Sequence, residues 1–328
     1  MTRYLLRRLA GTCLLVLAVS SAAFVVTRLA PGDVAQANVG LGGASQEELA
    51  RARHEAGLDR PLVVQWAGWL SGAVRLDFGR SLLYRRPVAS LVGERAANTA
   101  LLATVSLALA LALGLPAAFV TATRPRSIAA RAVGVLSLVL VSVPPFVGSL
   151  VLVLVASRTA WLPAGGMTSG GDLNGLPWLL DVLRHLPLPV LALALPLAGT
   201  FERLQAQALA SALTEPWVSA ARARGIPESF VLRRHAWRLA LKPVAAIGGL
   251  AFGALLSGSF VVEMVTAWPG LGRLTYDALM HRDLTLVAGC AAAGTVLLAV
   301  GLFAADALIA WSDPRVVHDE QQAEGAAA

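Results

Sequence analysis

Four long runs of this chain contain no Asp, Glu, Lys or Arg. They cover residues 9–27, 96–123, 132–157 and 284–305. Each can form a helix that crosses a bilayer, because ~20 apolar residues at ~1.5 Å per residue span ~30 Å of hydrocarbon. A charged fraction of only 14% and a mean hydropathy of +0.67 exclude an ordinary soluble domain. The chain is therefore predicted to be an all-α polytopic membrane helical bundle.

Two weaker apolar runs bring the predicted number of transmembrane helices to about six. The run 186–201 is short and contains three prolines, so that a re-entrant or interfacial segment is the alternative there. The proline pair Pro144-Pro145 is expected to bend the third helix. The predicted spans are TM1 9–27, TM2 96–123, TM3 132–157, TM4 186–201, TM5 244–262 and TM6 284–311.

Short arginine-rich flanks set the predicted orientation. Residues 1–8 and the loop 124–131 carry three arginines each. Since Lys and Arg accumulate in short cytoplasmic flanks, we expect the N-terminus to lie inside the cell. The loop 202–243 and the tail 312–328 are then also cytoplasmic. TM1 lacks a convincing cleavage site and is expected to be a retained signal anchor.

The predicted extracytoplasmic segment 28–95 contains signals for helix starts. Ser45 to Glu48 has the spacing of a capping box, and Pro61 and Pro87 can each begin a helix. We therefore expect a helical segment that contributes to an outer gate or a receptor-docking face. A purely structural lid over the bundle is the alternative.

A charged stretch, 214–243, interrupts the apolar sequence. Thr214 is predicted to cap a short helix that has Pro216 in its first turn and ends at Gly225 and Pro227. Small alanines in this helix would let another surface approach closely, and its arginines supply charge. A short polar helix between two spans is suited to docking to something outside the bilayer.

Six short motifs occur in order along nearly the whole chain. They are Arg-Leu-Ala-Pro-Gly-Asp at 28–33, Gly-Leu-Asp-Arg-Pro at 57–61, Asp-Phe-Gly at 77–79, Arg-Arg-Pro at 85–87, Ala-Trp-Pro-Gly-Leu-Gly at 267–272 and Asp-Pro-Arg at 313–315. Together with the charged loop, they resemble the permease subunits of the peptide/nickel (dipeptide and oligopeptide) branch of binding-protein-dependent ABC importers. The chain departs from that pattern at Ser219, where the wider family has Glu, and at Val34, where this branch often has Pro.

The resemblance implies an architecture and a set of partners. The fold would be that of an ABC type I importer permease, with a transmembrane core over residues 96–311. The partners would be the lipid bilayer, a second homologous permease in a heterodimer, two cytoplasmic ATPase subunits that hold ATP and Mg, and an extracytoplasmic substrate-binding protein. The location would be a bacterial or archaeal inner membrane. The substrate would be a peptide, a nickel chelate, an opine or a small glycan.

The resemblance also implies two functional sites. The loop 202–243 would couple the permease to the ATPase through Ser219, Ala220, Ala221, Arg222, Ala223, Arg224, Gly225, Ile226 and Pro227. An outer gate or vestibule would contain Glu263, Trp268, Pro269, Gly270 and Gly272. Glu263 could reach water there or cap a short following helix. A structural turn with a solvated Glu263 is the alternative.

Small or helix-bending residues within the spans are candidates for the translocation path. They are Pro144, Pro145, Gly249, Gly253 and Ser257. Close packing of helices is the alternative explanation for the glycines and the serine, and it is favoured over substrate contact.

Cationic residues Arg234, Arg238 and Lys242 follow one another at intervals of four and would form a stripe on one α-helix. Phosphates of cytoplasmic lipids are the favoured counter-charge, and the ATPase is the alternative.

Several classes of function lack the residues they need. The histidines are scattered and show no metal-binding or Ser-His-Asp spacing, and no P-loop is present. No catalytic residue, bound metal or cofactor of this chain is therefore predicted, and no nucleic-acid partner. An ion-gradient-driven secondary transporter is the alternative function, but it would need carboxylates within the spans, which are nearly free of acids. An intramembrane enzyme would need a buried Ser-His pair or metal ligands.

Overall fold

The structure is a computed structural model that describes residues 2–29, 47, 54, 59–171 and 174–312. Within these residues the fold is helical, and β structure is limited to one isolated bridge between Arg80 and Pro87. The helices are α1 Thr2–Leu29, α2 Leu62–Val74, α3 Val88–Thr123, α4 Ile128–Ser142, α5 Pro145–Thr159, α6 Leu176–His185, α7 Pro187–Leu213, α8 Pro216–Ala223, α9 Trp237–Gly258, α10 Phe260–Val265, α11 Leu271–Met280 and α12 Leu284–Ser312. A helical turn, Glu228–Phe230, and a π-helical segment, Val231–Ala236, lead into α9.

The bundle is organised around two helix pairs, α3 with α7 and α9 with α12. Helices α4 and α9 also pack against α7, and α1 packs against α12. The backbones of α3 and α7 approach so closely that a Cβ atom on Gly114 would lie 2.6 Å from the carbonyl oxygen of Ala198. Small residues at such crossings are typical of helix packing in membranes.

The helices satisfy the length and composition expected of membrane spans. Four are long and apolar enough to cross a bilayer by themselves, and the number rises to six if each of two bent helix pairs is one span. This range includes the predicted number of about six. The all-α polytopic bundle is therefore confirmed.

The region predicted as a single TM3, 132–157, consists of two helices. Helix α4 ends at Ser142, α5 begins at Pro145, and their axes differ by 100°. Proline disfavours the α conformation of the preceding residue and donates no backbone hydrogen bond. The proline pair therefore breaks the helix completely, where sequence analysis predicted only a bend.

The region predicted as TM4, 186–201, is only the first part of a longer helix. Helix α7 continues to Leu213, and its later residues Glu202, Gln205 and Leu209 are buried against neighbouring helices. The polar residues end the apolar run but they do not end the helix. The predicted loop 202–243 thus begins with a continuation of α7.

The region predicted as TM5 is also displaced. Helix α9 begins before residue 244 and ends at Gly258, and α10 follows it.

Two helices of the segment 28–95 begin where prolines predict them, α2 after Pro61 and α3 after Pro87. Helix α3 is continuous with the second span. The capping box from Ser45 lies outside the described residues. The indole Nε1 of Trp66 donates a hydrogen bond to Ser21 Oγ (2.9 Å), which connects α2 to α1.

Candidate functional site

The two predicted sites lie at opposite ends of helix α3. Phe119, near the end of α3, belongs to an apolar cluster that includes Trp217 of α8 and Trp237 of α9, and its ring centroid lies 5.7 Å from that of Trp237. Thr99, near the beginning of α3, contacts Glu263. Twenty residues separate Thr99 from Phe119, which corresponds to about 30 Å along an α-helix. This separation matches the thickness of the hydrocarbon core of a bilayer.

The first site is the 216–231 unit, which comprises helix α8, the following turn and Val231. Thr214 does not cap α8. Its hydroxyl donates to the carbonyl of Ser211 (2.8 Å), so Thr214 ends the preceding helix instead. Glu215 occupies the N-cap position of α8 without a side-chain hydrogen bond. Proline at N1 removes one of the donors that a cap would satisfy and fixes φ for the first turn.

Helix α8 ends in a Schellman motif built around Gly225. The amide of Gly225 donates to Arg222 O (2.9 Å), and the amide of Ile226 donates to Ala221 O (3.2 Å). Gly225 has φ of +75°, a conformation that costs glycine little and other residues more. The chain therefore reverses sharply at this glycine.

A small apolar cluster holds α8 against the start of the next helix. Val218, Ala221 and Val231 are buried in it, and Trp217 and Ile226 pack against it. Among the residues predicted to contact the ATPase, Ala221 and Ile226 thus face the interior of the 216–231 unit. The others are exposed: Ser219, Ala220, Arg222, Ala223, Arg224, Gly225 and Pro227.

An ion pair closes the turn on its exposed side. Arg222 donates from Nη2 to Glu228 Oε1 (2.6 Å) and from Nε to Glu228 Oε2 (2.9 Å). This hydrogen bond raises the pKa of Arg222 above its ordinary value. Glu228 was not among the residues predicted from the sequence. An acid one residue after Pro227, on the other side of a glycine turn from an arginine, is the signal that could have identified it.

The cationic stripe expected on one α-helix is not formed as predicted. Arg234 lies in the π-helical segment Val231–Ala236, whereas Arg238 lies in α9. A π-helix has a wider turn than an α-helix, so an interval of four residues does not keep the two side chains in line. Both arginines are nevertheless exposed.

The second site is the Glu263 network, formed by Glu263, Thr99, Ser259 and the first turn of α11. The Glu263 side chain is 0% exposed. It accepts hydrogen bonds from Thr99 Oγ1 (2.7 Å) and Ser259 Oγ (2.8 Å). It also accepts from the backbone amides of Gly272 (2.8 Å) and Arg273 (3.2 Å). The interpretation of Glu263 as a solvated residue is therefore wrong, and the carboxylate caps α11 from a buried position.

Residues of α3 complete this network. Thr99 Oγ1 accepts from the amide of Leu271 (2.8 Å), and Asn98 Nδ2 donates to Pro269 O (2.8 Å). Trp268 is fully buried and donates from Nε1 to Asn98 O (3.2 Å). Asn98 and Thr99 were not among the residues predicted from the sequence. An adjacent polar pair inside the apolar run 96–123 is the signal that could have identified them.

The glycines of the network are required by close packing. A Cβ atom on Gly270 would overlap the carboxylate of Glu263. A Cβ atom on Gly272 would lie 2.6 Å from Phe260 Cα and 2.9 Å from Glu263 Oε2. Only glycine fits at these two positions without a shift of the backbone or of the buried carboxylate.

A second buried carboxylate near the start of α12 was also missed. Asp283 Oδ2 accepts from Ser81 Oγ (2.7 Å) and from the amides of Leu82 (2.7 Å) and Leu83 (3.2 Å). Its other oxygen accepts from the amide of Leu286 in the first turn of α12 (3.0 Å). Asp283 thereby fixes the turn before α3 to the beginning of α12.

The candidates for a translocation path lie in different environments. Pro144 and Pro145 are exposed at the break between α4 and α5. Gly253 is buried against α12, where a Cβ atom on Gly301 would lie 2.6 Å from Gly253 Cα. Gly249 is buried, and Ser257 Oγ donates to Gly253 O (3.1 Å). Close packing of helices accounts for Gly253. Among the residues that the structure describes, no group of His, Cys, Asp or Glu could hold a metal.

The sequence matches a known family over most of its length. The profile described as binding-protein-dependent transport system inner membrane component matches residues 110–318. The profile for the N-terminal part of such membrane components matches residues 1–82. The chain belongs to this family. It is thus a multi-pass inner-membrane component of a transport system.

Curated relatives cover nearly the whole of this permease. The oligopeptide transport system permease protein AppB of Bacillus subtilis is 33% identical over 321 residues, covering 96% of this chain and 99% of AppB. A Brucella abortus protein, named provisionally as a peptide transport system permease, is 36% identical over 325 residues, covering 97% and 100%.

A solved structure supports the fold. A chain from the structure titled inward-facing conformations of the MetNI methionine ABC transporter superimposes with a TM-score of 0.51 at 18% identity. The match covers 68% of this permease and 96% of that chain. The permease therefore has the helical fold of an ABC importer membrane subunit.

Proposed function

We propose that this permease moves peptides or related small solutes into the cell by alternating access driven by ATP. The names of the relatives that match it end to end support peptides as the substrate class. Transport of this kind requires ligand and nucleotide each to bind one of two global states more tightly.

The 216–231 unit is the docking element for the ATPase in this proposal. The observation that carries it is that α8 exposes one face while its other face is fixed to the π-helical segment that leads into α9. Val218 and Ala221 are buried against Val231, and the Schellman turn leads directly into the following helical segment. A displacement of α8 can therefore reach the bundle through a continuous, hydrogen-bonded path.

The proposed assembly follows from this assignment. A second homologous permease and two ATPase subunits complete the membrane-bound importer, and the ATPases hold ATP and Mg. Residues 1–8, 202–243 and 312–328 face the cytoplasm. The Glu263 network lies about 30 Å away, on the side where a substrate-binding protein delivers the ligand.

The energy source is tested by uptake in membrane vesicles. We expect vanadate to abolish uptake of a labelled oligopeptide and a protonophore to leave ATP-fuelled uptake intact. Uptake that survives vanadate and is abolished by the protonophore would indicate an ion-gradient-driven transporter instead. Labelled nickel chelate in the same vesicles tests the substrate class.

The coupling assignment is tested by Gly225→Val. A β-branched residue strains the φ of +75° at this position, so α8 should lose its geometry. We expect the assembled importer to retain ATP hydrolysis while peptide uptake falls at least tenfold. Gly170→Val is the control, since Gly170 also has positive φ (+86°) and open space around it. Wild-type uptake by Gly225→Val, or equal losses in both variants, would contradict the assignment.

A direct contact is tested by cross-linking. In a Cys13→Ala background, Ser219→Cys should form a cross-link with a cysteine-bearing ATPase subunit. Ser157→Cys, an exposed serine near the end of α5, should not. Labelling of Ser219→Cys only from the outer side of sealed cells would contradict the proposed orientation.

A further inference from the structure

A polar crevice opens at the end of the bundle that carries the 124–127 turn. It lies between the end of α3, the start of α4 and the middle of α7, and its volume is about 390 Å³. This volume is within the range of about 300–1,000 Å³ that is common for small-molecule sites. Its lining residues are Thr121, Pro125, Ala130, Arg131, Gly134, Glu202, Arg203, Ala206 and Gln207.

Two guanidinium groups and one carboxylate determine the charge of this crevice. Arg131 and Arg203 are both exposed. Neither forms a salt bridge with any carboxylate in the described ranges, and the Arg131 guanidinium donates only to the backbone oxygen of Arg126 (3.3 Å). Glu202 is 3% exposed and accepts from Thr121 Oγ1 (2.6 Å). The mouth of the crevice is thus cationic, while its single acid lies deeper and is already hydrogen-bonded.

An apolar groove that includes Arg131 follows one face of α4. Its volume is about 530 Å³, and it is lined by Ile128, Arg131, Ala132, Val135, Leu136 and Val139. Intervals of three and four residues place these side chains on one face of the helix. The stretch from Arg131 to Val139 is about 12 Å long. This length covers most of the hydrocarbon thickness of one leaflet, about half of ~30 Å.

The polar crevice and the apolar groove share Arg131 and therefore form a continuous surface. We propose that this surface binds one anionic phospholipid. The phosphate lies between Arg131 and Arg203, and an acyl chain follows the groove on α4. Guanidinium groups bind phosphate through charge-assisted hydrogen bonds, and basic pockets between transmembrane helices bind anionic headgroups. A cationic mouth followed by an apolar groove that covers most of one leaflet matches a phospholipid better than a free phosphate.

The proposal is tested by native mass spectrometry of the full-length permease in detergent with defined lipids. We expect phosphatidylglycerol to bind at least tenfold more tightly than phosphatidylcholine. Each juxtamembrane arginine contributes about fivefold to affinity for anionic lipid. Arg131→Gln and Arg203→Gln should therefore each weaken binding of phosphatidylglycerol about fivefold, and the double variant about 25-fold.

Matched control variants distinguish binding at this site from nonspecific attraction of anionic lipid to exposed arginines. Arg124→Gln removes an exposed arginine at the same end of the bundle that does not line the crevice, and it should change affinity less than twofold. Leu136→Ser should weaken binding. Leu138→Ser should not, because Leu138 lies on the same helix with similar exposure (53% against 57%) but outside the groove.

Three results would overturn the proposal. They are equal affinity for both lipids, equal losses in Arg124→Gln and Arg131→Gln, and binding of glycerol 1-phosphate as tight as that of the lipid. The last result would indicate a site for a free phosphate ester. If a glutamine variant does not fold, Arg131→Lys and Arg203→Lys keep the charge and should retain the preference for phosphatidylglycerol over phosphatidylcholine.

Discussion

The two ends of the bundle each position a short helix after a turn, but they do so with different interactions. At the Glu263 network, a fully buried carboxylate accepts four hydrogen bonds, two of them from the first turn of α11. In the 216–231 unit, α8 is held by a three-residue apolar cluster, a glycine turn and an exposed ion pair.

The difference lies in the strength of the attachment. Hydrogen bonds to a charged group contribute more when they are buried, and losing one partner leaves the others unsatisfied. Exposed ion pairs contribute little. Helix α11 is therefore fixed to α3 and α10, whereas α8 keeps an accessible face and depends on few contacts. Helix α9 links the two ends, since it follows the 216–231 unit and leads to Ser259 in the Glu263 network.

The largest expected effect comes from removing the buried carboxylate. Glu263→Ala leaves two hydroxyls and two backbone amides without their acceptor. We therefore expect the free energy of unfolding to fall by about 3 kcal/mol or more. The readout is the free energy of unfolding in detergent micelles, obtained by denaturant titration.

The control for this variant is Glu94→Ala, which breaks the exposed ion pair between Arg86 and Glu94. Its cost should remain below about 1 kcal/mol. Equal losses of unfolding free energy in the two variants would show that the buried Glu263 network contributes no more to stability than an exposed ion pair.

The second prediction concerns the close packing around the same carboxylate. Gly272→Ala places a Cβ atom 2.6 Å from Phe260 Cα, and overpacking of this kind costs about 1–3 kcal/mol. Gly248→Ala is the matched control, because nothing lies within 4 Å of its added Cβ atom. We expect it to leave the unfolding midpoint unchanged or to raise it slightly, since alanine favours helix. A stable Gly272→Ala protein would mean that the turn before α11 can move.

The long apolar helices and the short helix α8 could be predicted from the sequence because they depend on local signals. The length of an apolar run corresponds to the thickness of the membrane. Pro216 and Gly225 indicate where α8 begins and ends. The Glu263 network depends on contacts between residues far apart in the chain. Thr99 and Glu263 are 164 residues apart, and no local sequence pattern predicts that they are in contact.

The predicted helix boundaries were wrong where the end of an apolar run does not coincide with the end of a helix. Helix α7 continues through Glu202 and Gln205 because neighbouring helices bury that face, although the apolar run has ended. The break at Pro144 was underestimated, because sequence alone does not show whether neighbouring helices support a kinked helix or two separate ones. The π-helical segment Val231–Ala236 has no signal that we recognise in the sequence.

The smallest expected effect is at the exposed ion pair of the 216–231 unit. Glu228→Gln removes the carboxylate that pairs with Arg222, yet both side chains are about half exposed (46% and 51%). We expect no measurable change in the global unfolding midpoint, because water replaces the lost interaction. The turn that the pair closes should loosen locally, so hydrogen exchange of the Gly225 and Ile226 amides should become faster.

Glu215→Gln serves as the control, since Glu215 makes no capping hydrogen bond to α8, and it should leave the exchange rates of these amides unchanged. A fall in the global midpoint as large as that of Glu263→Ala would remove the contrast between the two ends, because the exposed pair would then fix α8 as firmly as the buried carboxylate fixes α11.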